Sequence, residues 1–195
     1  MTEASGAGAL GAPEMLDGTL SERILRHVRT IADYPTPGIQ FKDITPLLAT
    51  PTLFAEVVEA LAAPHRSGRS AEVDLVAGIE ARGFILAAPV ALALGVGFVP
   101  VRKHGKLPHT TVTAEYDLEY GTAVIEVHAD AVRSGQRILL VDDVLATGGT
   151  AAAACSLLEQ LGGSVARVAV LMELAFLPGR DRLTGRRVDA LAVVQ

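Results

Sequence analysis

One stretch confines this chain more than any other. The apolar run Ile138 to Val141 leads into two adjacent carboxylates, Asp142 and Asp143, then into Thr147-Gly148-Gly149-Thr150 and a small-residue segment, Ala151 to Leu161. This reads as a strand, a glycine turn and a helix. Units of that kind stack into parallel sheets whose ligands sit at the carboxyl ends of the strands. Glycines let backbone N–H groups approach a phosphate, threonine hydroxyls add donors, and the helix N-terminus adds positive partial charge. The two acids would repel a phosphate but can accept hydrogen bonds from vicinal hydroxyls. Together the pieces fit a ribose 5-phosphate. A Walker A loop is excluded, because it needs a Lys after the glycines and no Lys follows Lys106. The turn also lacks G-x-G-x-x-G.

The remainder supplies more strands and helices in alternation. Thr19 followed by Glu22 is a capping box. It opens a helix with Leu20, Ile24, Leu25, Val28 and Ile31 on its apolar side. Tyr34 to Pro46 holds three prolines and a glycine and reads as an ordered loop. Thr50-Pro51 opens a second helix with Leu53, Phe54, Val57, Val58 and Leu61 as its stripe. Strands are expected at Val73 to Ile79, Phe98 to Val101, Thr122 to His128, Arg137 to Val141, Val165 to Glu173 and Val188 to Val194. A helix is expected from Phe84 to Leu94, ended by Gly95 and kinked or shortened by Pro89. Thr122 to His128 alternates, with Ala123, Ile125 and Val127 set against Val124, Glu126 and His128. The pattern predicts an α/β fold, a parallel sheet with helices on both faces. Residues 1–18, rich in Ala, Gly and Ser, read as a disordered tail, and 19–195 as a single domain.

Bulk properties narrow the function. The 195 residues suffice for one sizeable core, built from Ala, Val and Leu because only 4% are aromatic. A net charge of −5 offers no field for nucleic acid or an acidic membrane, so an anion site must be built locally. The single cysteine, Cys155, excludes an internal disulfide and suggests a reducing compartment. Neither a secretion signal nor a membrane span is visible, so a cytoplasmic location is expected.

Three strand-end loops carry chemistry. Glu80-Ala81-Arg82-Gly83 and Arg102-Lys103-His104-Gly105-Lys106 hold cations, and Asp142 to Thr150 is the anion nest. A phosphate together with a pyrophosphate would need that distribution. Thr110 to Gly121 is polar, ends in glycine and carries Glu115, Tyr116, Asp117, Glu119 and Tyr120. It reads as a lid or as a solvated hairpin.

The 142–150 run resembles the 5-phosphoribosyl-1-pyrophosphate (PRPP) signature of type I phosphoribosyltransferases. Tyr34 to Pro46, Gly78-Ile-Glu-Ala-Arg-Gly-Phe84, Val101 to Pro108 and Glu115 to Gly121 look like the adenine-specific branch, in the same order. The resemblance implies a type I fold with a small N-terminal hood from about 19–50 and a flexible lid. It implies transfer of the phosphoribosyl group from PRPP to adenine, giving AMP and pyrophosphate for purine salvage, with Mg²⁺ carried by PRPP and water. PRPP would be held by Asp142 and Asp143 at the ribose, Ala146, Thr147, Gly148, Gly149 and Thr150 at the 5′-phosphate, and Glu80, Ala81, Arg82, Arg102, Lys103 and Lys106 at the pyrophosphate. The peptide between Glu80 and Ala81 would be cis. Glu119 would be the acid/base on the purine and Tyr120 a lid residue. Adenine would lie against Phe41 and Leu145, read by the backbones of Gln40 and Lys42. In the branch, Lys42 is often Arg. Enzymes for 6-oxopurines carry an acid where this chain has Val144-Leu145-Ala146. Relatives are homodimers in which the residue matching Arg102 reaches the neighbour's pyrophosphate. Rival readings are a phosphoribosyltransferase for another base, a purine-responsive regulator and an inactive PRPP-binding scaffold. The regulator would need a DNA-binding module that the 1–18 segment does not supply, and the scaffold is disfavoured by Arg82, Asp142 and Glu119.

Overall fold

The computed structural model describes residues 17–67, 70–117 and 122–195. Helix α1 (Leu20–His27) opens with the expected capping box: Thr19 accepts from the Glu22 N–H, and Glu22 accepts from Thr19. It stops at His27, so Ile31 is not on its face. Ile31 belongs to β1 (Arg29–Ala32), which pairs antiparallel with β2 (Gln40–Asp43). The proline-rich segment is therefore not all loop: it contains β2 and the start of the short helix α2 (Thr45–Leu48). Helix α3 (Pro51–Ala62) follows, with Leu53, Val57 and Leu61 buried as expected. Thr50 precedes it without capping it; its hydroxyl donates instead to the Pro46 carbonyl at 3.0 Å. The two-residue strands β3 (Arg66–Ser67) and β4 (Ser70–Ala71) form a small ladder.

The main sheet then begins. In order come β5 (Leu75–Ile79), α4 (Arg82–Leu94), β6 (Gly97–Lys103), β7 (Thr111–Asp117) and β8 (Thr122–His128). They are followed by β9 (Arg137–Leu145), α5 (Gly149–Gln160), β10 (Ser164–Leu174) and β11 (Arg187–Val194). The spatial order is β11-β10-β9-β5-β6-β8-β7. The first five are parallel, and β8 and β7 close one edge antiparallel. Helix α4 runs through Pro89 and ends at Gly95.

Alternation along the central strands shows why both faces must be covered. Ile138 and Leu140 enter one core with Val168, Val170 and the α5 residues Ala154, Leu157 and Leu158. Leu139 and Val141 enter the other with Ala169, Leu171, Leu86, Val90, Val57 and Ile24. Successive residues of a strand point to opposite faces, so an unbroken apolar run is stable only between two helical layers. Each fully buried Leu or Val removes ~1.5–3 kcal/mol worth of apolar surface from water. Ile24 is fully buried, which ties α1 into the body of the fold.

The topology locates the cleft. The β5-α4-β6 connection moves one way along the sheet, and β9-α5-β10 moves the other. The order reverses between the adjacent strands β5 and β9, and the carboxyl ends there diverge into a crevice. The segments after β5 and after β9 are two of the three chemical loops.

Candidate active site

The strand β9 runs on to Leu145, so Asp142 and Asp143 lie within it rather than beyond its end. Alternation then sends the two side chains apart. Asp143 is 5% exposed and reaches Arg82 at the start of α4. Asp142 is half-buried and lines a small cavity of about 80 Å³ with Ala146, Thr147, Gly148 and Thr150. Its Oδ1 accepts the Asp143 N–H at 2.8 Å. Burial, and then the neighbouring Asp143 charge, pushes the Asp142 carboxyl well above the usual carboxylate range. Burial also raises Asp143, while Arg82 pulls it back. Gly148, at φ +78°, turns the chain into α5. Asp142, the glycine turn and the first residues of α5 thus line one small cavity, while Asp143 turns away to Arg82.

The guanidiniums are not free. Arg82 Nε stands 2.9 Å from Asp143 Oδ2, its NH1 donates to the Lys42 carbonyl at 2.8 Å, and its Cζ lies 4.6 Å from the Phe41 ring centroid. Arg82 therefore bridges Asp143 to β2. Arg102 and Lys103 lie in β6, not in a loop after it. Arg102 donates to both oxygens of Glu80, at 3.2 and 3.3 Å, and to the Lys106 carbonyl at 3.0 Å. The Lys103 N–H also donates to Glu80, at 2.9 Å. Lys103 and Lys106 are exposed and enter no ion pair among the described residues. The Glu80–Ala81 peptide is cis.

On β2, Phe41 meets the Tyr34 ring edge-on at 5.2 Å and Arg82 on its face. The Lys42 ammonium donates to Thr30 at 2.9 Å, so what Lys42 turns toward Arg82 is its carbonyl. Gln40 lines a cavity of about 450 Å³ with Thr36 to Ile39, Ala146, Thr147, Leu174, Phe176 and Leu177. The cavity brings the hairpin segment opposite the phosphate loop. Leu145 is 2% exposed and packs in the α5-side core while edging the smaller cavity. Residues 111–117 form β7 of a hairpin with β8, while Glu119 and Tyr120 lie outside the described residues.

Residues 43–190 match the family described as phosphoribosyl transferase domain. The adenine phosphoribosyltransferase of Frankia casuarinae is 61% identical over 175 residues, covering 90% of this chain and 92% of that protein. The chain belongs to the adenine phosphoribosyltransferase family. It is an enzyme of the pentosyltransferase class. Its fold matches solved members of the family. The adenine phosphoribosyltransferase of Thermoanaerobacter pseudethanolicus superposes with a TM-score of 0.84 at 51% identity, covering 90% of this chain and 100% of that one. The Saccharomyces cerevisiae enzyme was solved with D-2,5-dideoxy-2,5-imino-altritol 1,6-bisphosphate and adenine. It gives 0.80 at 38% identity, covering 88% of this chain and 98% of that one.

The sequence reading missed Glu126. Alternation sets it opposite Ala123, Ile125 and Val127, and it is nevertheless buried, 2% exposed. Its carboxylate accepts the N–H groups of Lys106 and Leu107 at 2.7 and 2.8 Å and meets His104 Nδ1 at 3.2 Å. Burial works against its charge, and the backbone donors of the 105–107 turn more than offset that, leaving its pKa lowered. The only available signal was an acid in a strand opposite a cation-rich turn. The segment 174–179 was missed entirely, since nothing in its composition marks it. Among the described residues no helix is long and apolar enough to cross a membrane, and no group of three or more side chains could hold a metal ion.

Proposed function

We propose that the chain transfers the 5-phosphoribosyl group from PRPP to adenine, releasing AMP and pyrophosphate, in cytoplasmic purine salvage. The observation that carries this reading is the small cavity that Asp142 shares with Ala146, Thr147, Gly148 and Thr150, at the point where the strand order reverses. The yeast relative solved with adenine supports the choice of base, as does the absence of an acid in Val144-Leu145-Ala146.

The reaction displaces pyrophosphate at ribose C1, so positive charge builds on the ring while the leaving group gains negative charge. In this reading the 5′-phosphate takes the N–H groups of Ala146 to Thr150 and the α5 N-terminus. Asp142 and Asp143 accept the ribose hydroxyls. Arg82, Arg102, Lys103, Lys106 and the Glu80–Ala81 backbone receive the pyrophosphate. Adenine lies between Phe41 and the Leu145 side of the loop, along the Gln40 and Lys42 backbones. Glu119 manages the purine proton, and Tyr120 closes over a site from which water must be excluded. Mg²⁺ on the pyrophosphate would neutralise the leaving group. With no ready-made ligand cluster among the described residues, it would be held by substrate oxygens and water, as Mg²⁺ prefers. Incubation with PRPP and each purine base, with and without EDTA, tests the reading. AMP and pyrophosphate should form fastest with adenine and only with metal present. Faster turnover of hypoxanthine, guanine or xanthine would overturn it.

A homodimer belongs to the same proposal. The outer side of α4 presents Ile85, Ala88, Pro89 and Leu92 at i, i+3, i+4 and i+7. Leu92 is 82% exposed and the stripe holds no charge. A two-fold interface would cover such a face. Arg102 would then exchange Glu80 for the neighbour's pyrophosphate. Mixing inactive Arg102→Ala with inactive Glu119→Ala subunits should recover activity, because half the mixed sites are intact. No recovery after confirmed subunit exchange would place Arg102 in its own site.

A further inference from the structure

The turn between β10 and β11 lies against the phosphate loop. An ideal Cβ placed on Gly179 would overlap the Ala146 carbonyl oxygen and stand 2.9 Å from Leu145 Cγ. One placed on Gly148 would overlap the Gly179 carbonyl oxygen. Gly179 itself has φ −60° and ψ −41°, ordinary helical backbone open to any residue. Its lack of a side chain is therefore required by the close approach alone. Two backbones touch here with nothing between them, and Leu145 behind the loop is buried.

The turn that carries Gly179 is held hard. Arg180 donates Nε and NH2 to the two oxygens of Glu173, each at 2.7 Å, and NH1 to the Val188 carbonyl at 3.0 Å. Glu173 is 7% exposed at the end of β10, and Leu183 in the 3₁₀ turn 180–183 is 1% exposed in the core. Bidentate charge-assisted pairing fixes both position and orientation. Glu173 and Val188 sit on β10 and β11, so the sheet itself anchors the turn.

We propose that Gly179, anchored by the Arg180–Glu173 pair, is a positioning element for the phosphate loop and sets the enzyme's affinity for the 5′-phosphate of PRPP. This rests on the assignment of residues 146–150 to that phosphate. The loop binds through N–H groups whose hydrogen bonds tolerate only a few tenths of an ångström. A methyl at residue 179 must push the Ala146 to Gly148 backbone, because the turn on the other side cannot retreat. A displacement on the order of 1 Å costs about 10- to 100-fold in a positioned site.

The test uses Gly179→Ala, Arg180→Ala and Arg180→Lys, with Gly185→Ala as a control. Gly185 is in the same connection at φ +81° with nothing within 4 Å of an added Cβ, so its variant brings strain without touching the loop. Gly179→Ala should raise KM for PRPP about tenfold or more, with KM for adenine changed less than about twofold. Arg180→Ala should move the same way, Arg180→Lys should recover part of the loss, and Gly185→Ala should leave both KM values near wild type. Amide hydrogen exchange of residues 146–150, measured without substrate, should quicken in Gly179→Ala and Arg180→Ala only. Unchanged KM for PRPP in folded Gly179→Ala, or equal losses for both substrates, overturns the proposal. If Gly179→Ala does not fold, the two Arg180 variants decide by the same criteria. A wild type inert toward PRPP sinks the functional reading, whereas unchanged loop exchange sinks the positioning role.

Discussion

Removing Arg82 should destabilise the protein in a way that depends on pH, and the sign follows from Asp143. Arg82→Ala deletes an ion pair of 2.9 Å, a charge-assisted hydrogen bond to the Lys42 carbonyl and a cation–π contact with Phe41. A hydrogen bond from a charged group is worth ~1.5–3 kcal/mol and a partly exposed cation–π contact ~0.5–1 kcal/mol. The Arg82 side chain is 35% exposed, so screening keeps the ion pair near the low end. The loss should be about 2–4 kcal/mol at neutral pH, or a fall of about 4–16 °C in Tm for a domain of this size. Burial already holds the Asp143 carboxyl above its ordinary value, and Arg82 is the main group pulling it down. Without Arg82 it rises further. A carboxyl whose folded pKa exceeds its unfolded value penalises the fold when ionised, and the penalty fades as pH falls through the folded pKa. The Tm deficit of Arg82→Ala should therefore be largest near pH 7.5 and shrink toward about pH 5. Adding Asp143→Asn to Arg82→Ala should recover about 1 kcal/mol or more relative to additivity, as expected for a contacting pair. Thermal melts of the four proteins of the cycle, without ligand, read both effects. A deficit that is flat in pH, with additivity within about 0.5 kcal/mol, would mean that Arg82 contributes packing and that its link to Asp143 is incidental.

Three further outcomes are expected. Thr147→Val removes a donor at the mouth of the loop and should raise KM for PRPP about tenfold, since a neutral donor to an anion contributes ~1.5–3 kcal/mol; steady-state kinetics showing no change would remove Thr147 from the phosphate site. Glu119→Gln should lower kcat about 10²-fold or more with KM for PRPP nearly unchanged, and a loss under about fivefold would argue against an acid/base role. Asp74, held by the Arg137 side chain and N–H, has its pKa lowered to about 2. A depressed carboxyl stabilises the fold above its unfolded pKa and loses that contribution as pH falls toward the folded one. The Tm gap between wild type and Asp74→Asn should be constant above about pH 5 and close between about pH 4 and pH 2; a gap that widens on acidification refutes the pairing.

What the sequence displayed and what it hid divide along the range of the interactions. The β9–α5 unit was legible because its determinants are local: an apolar run, two acids, a glycine turn and a helix of small residues within one short stretch. The α1 capping box was legible for the same reason. The strand β2 was not, because its four residues are held by pairing with β1 across a proline-rich connection that composition marks as loop. Ile31 continued the helical period of α1, yet β1 pairing took it into a strand. Glu126 looked like the polar half of an alternating strand. Its burial depends on a turn some twenty residues earlier, which folds its N–H groups back onto the carboxylate. Helix α5 began two residues before the expected Ala151, at Gly149, within the usual uncertainty of helix ends.

The cations show the same limit in a form that bears on chemistry. Along the sequence, Arg82 and Arg102 count as positive charges available to an anion. In the fold each has an acidic partner, Asp143 from β9 and Glu80 from the end of β5, brought in from 61 and 22 residues away. An anion arriving at Arg102 meets a guanidinium already engaged at both nitrogens that face Glu80. Binding there is an exchange of partners, and its free energy is the difference between two charge-assisted pairs, not the value of one. Lys103 and Lys106, exposed and without ion pairs among the described residues, offer charge with no such exchange. Carboxylates, backbone carbonyls and the Phe41 ring together hold these guanidiniums in place. Asp143 and Glu80 are thus part of how Arg82 and Arg102 are positioned, which a count of residue types along the chain cannot convey.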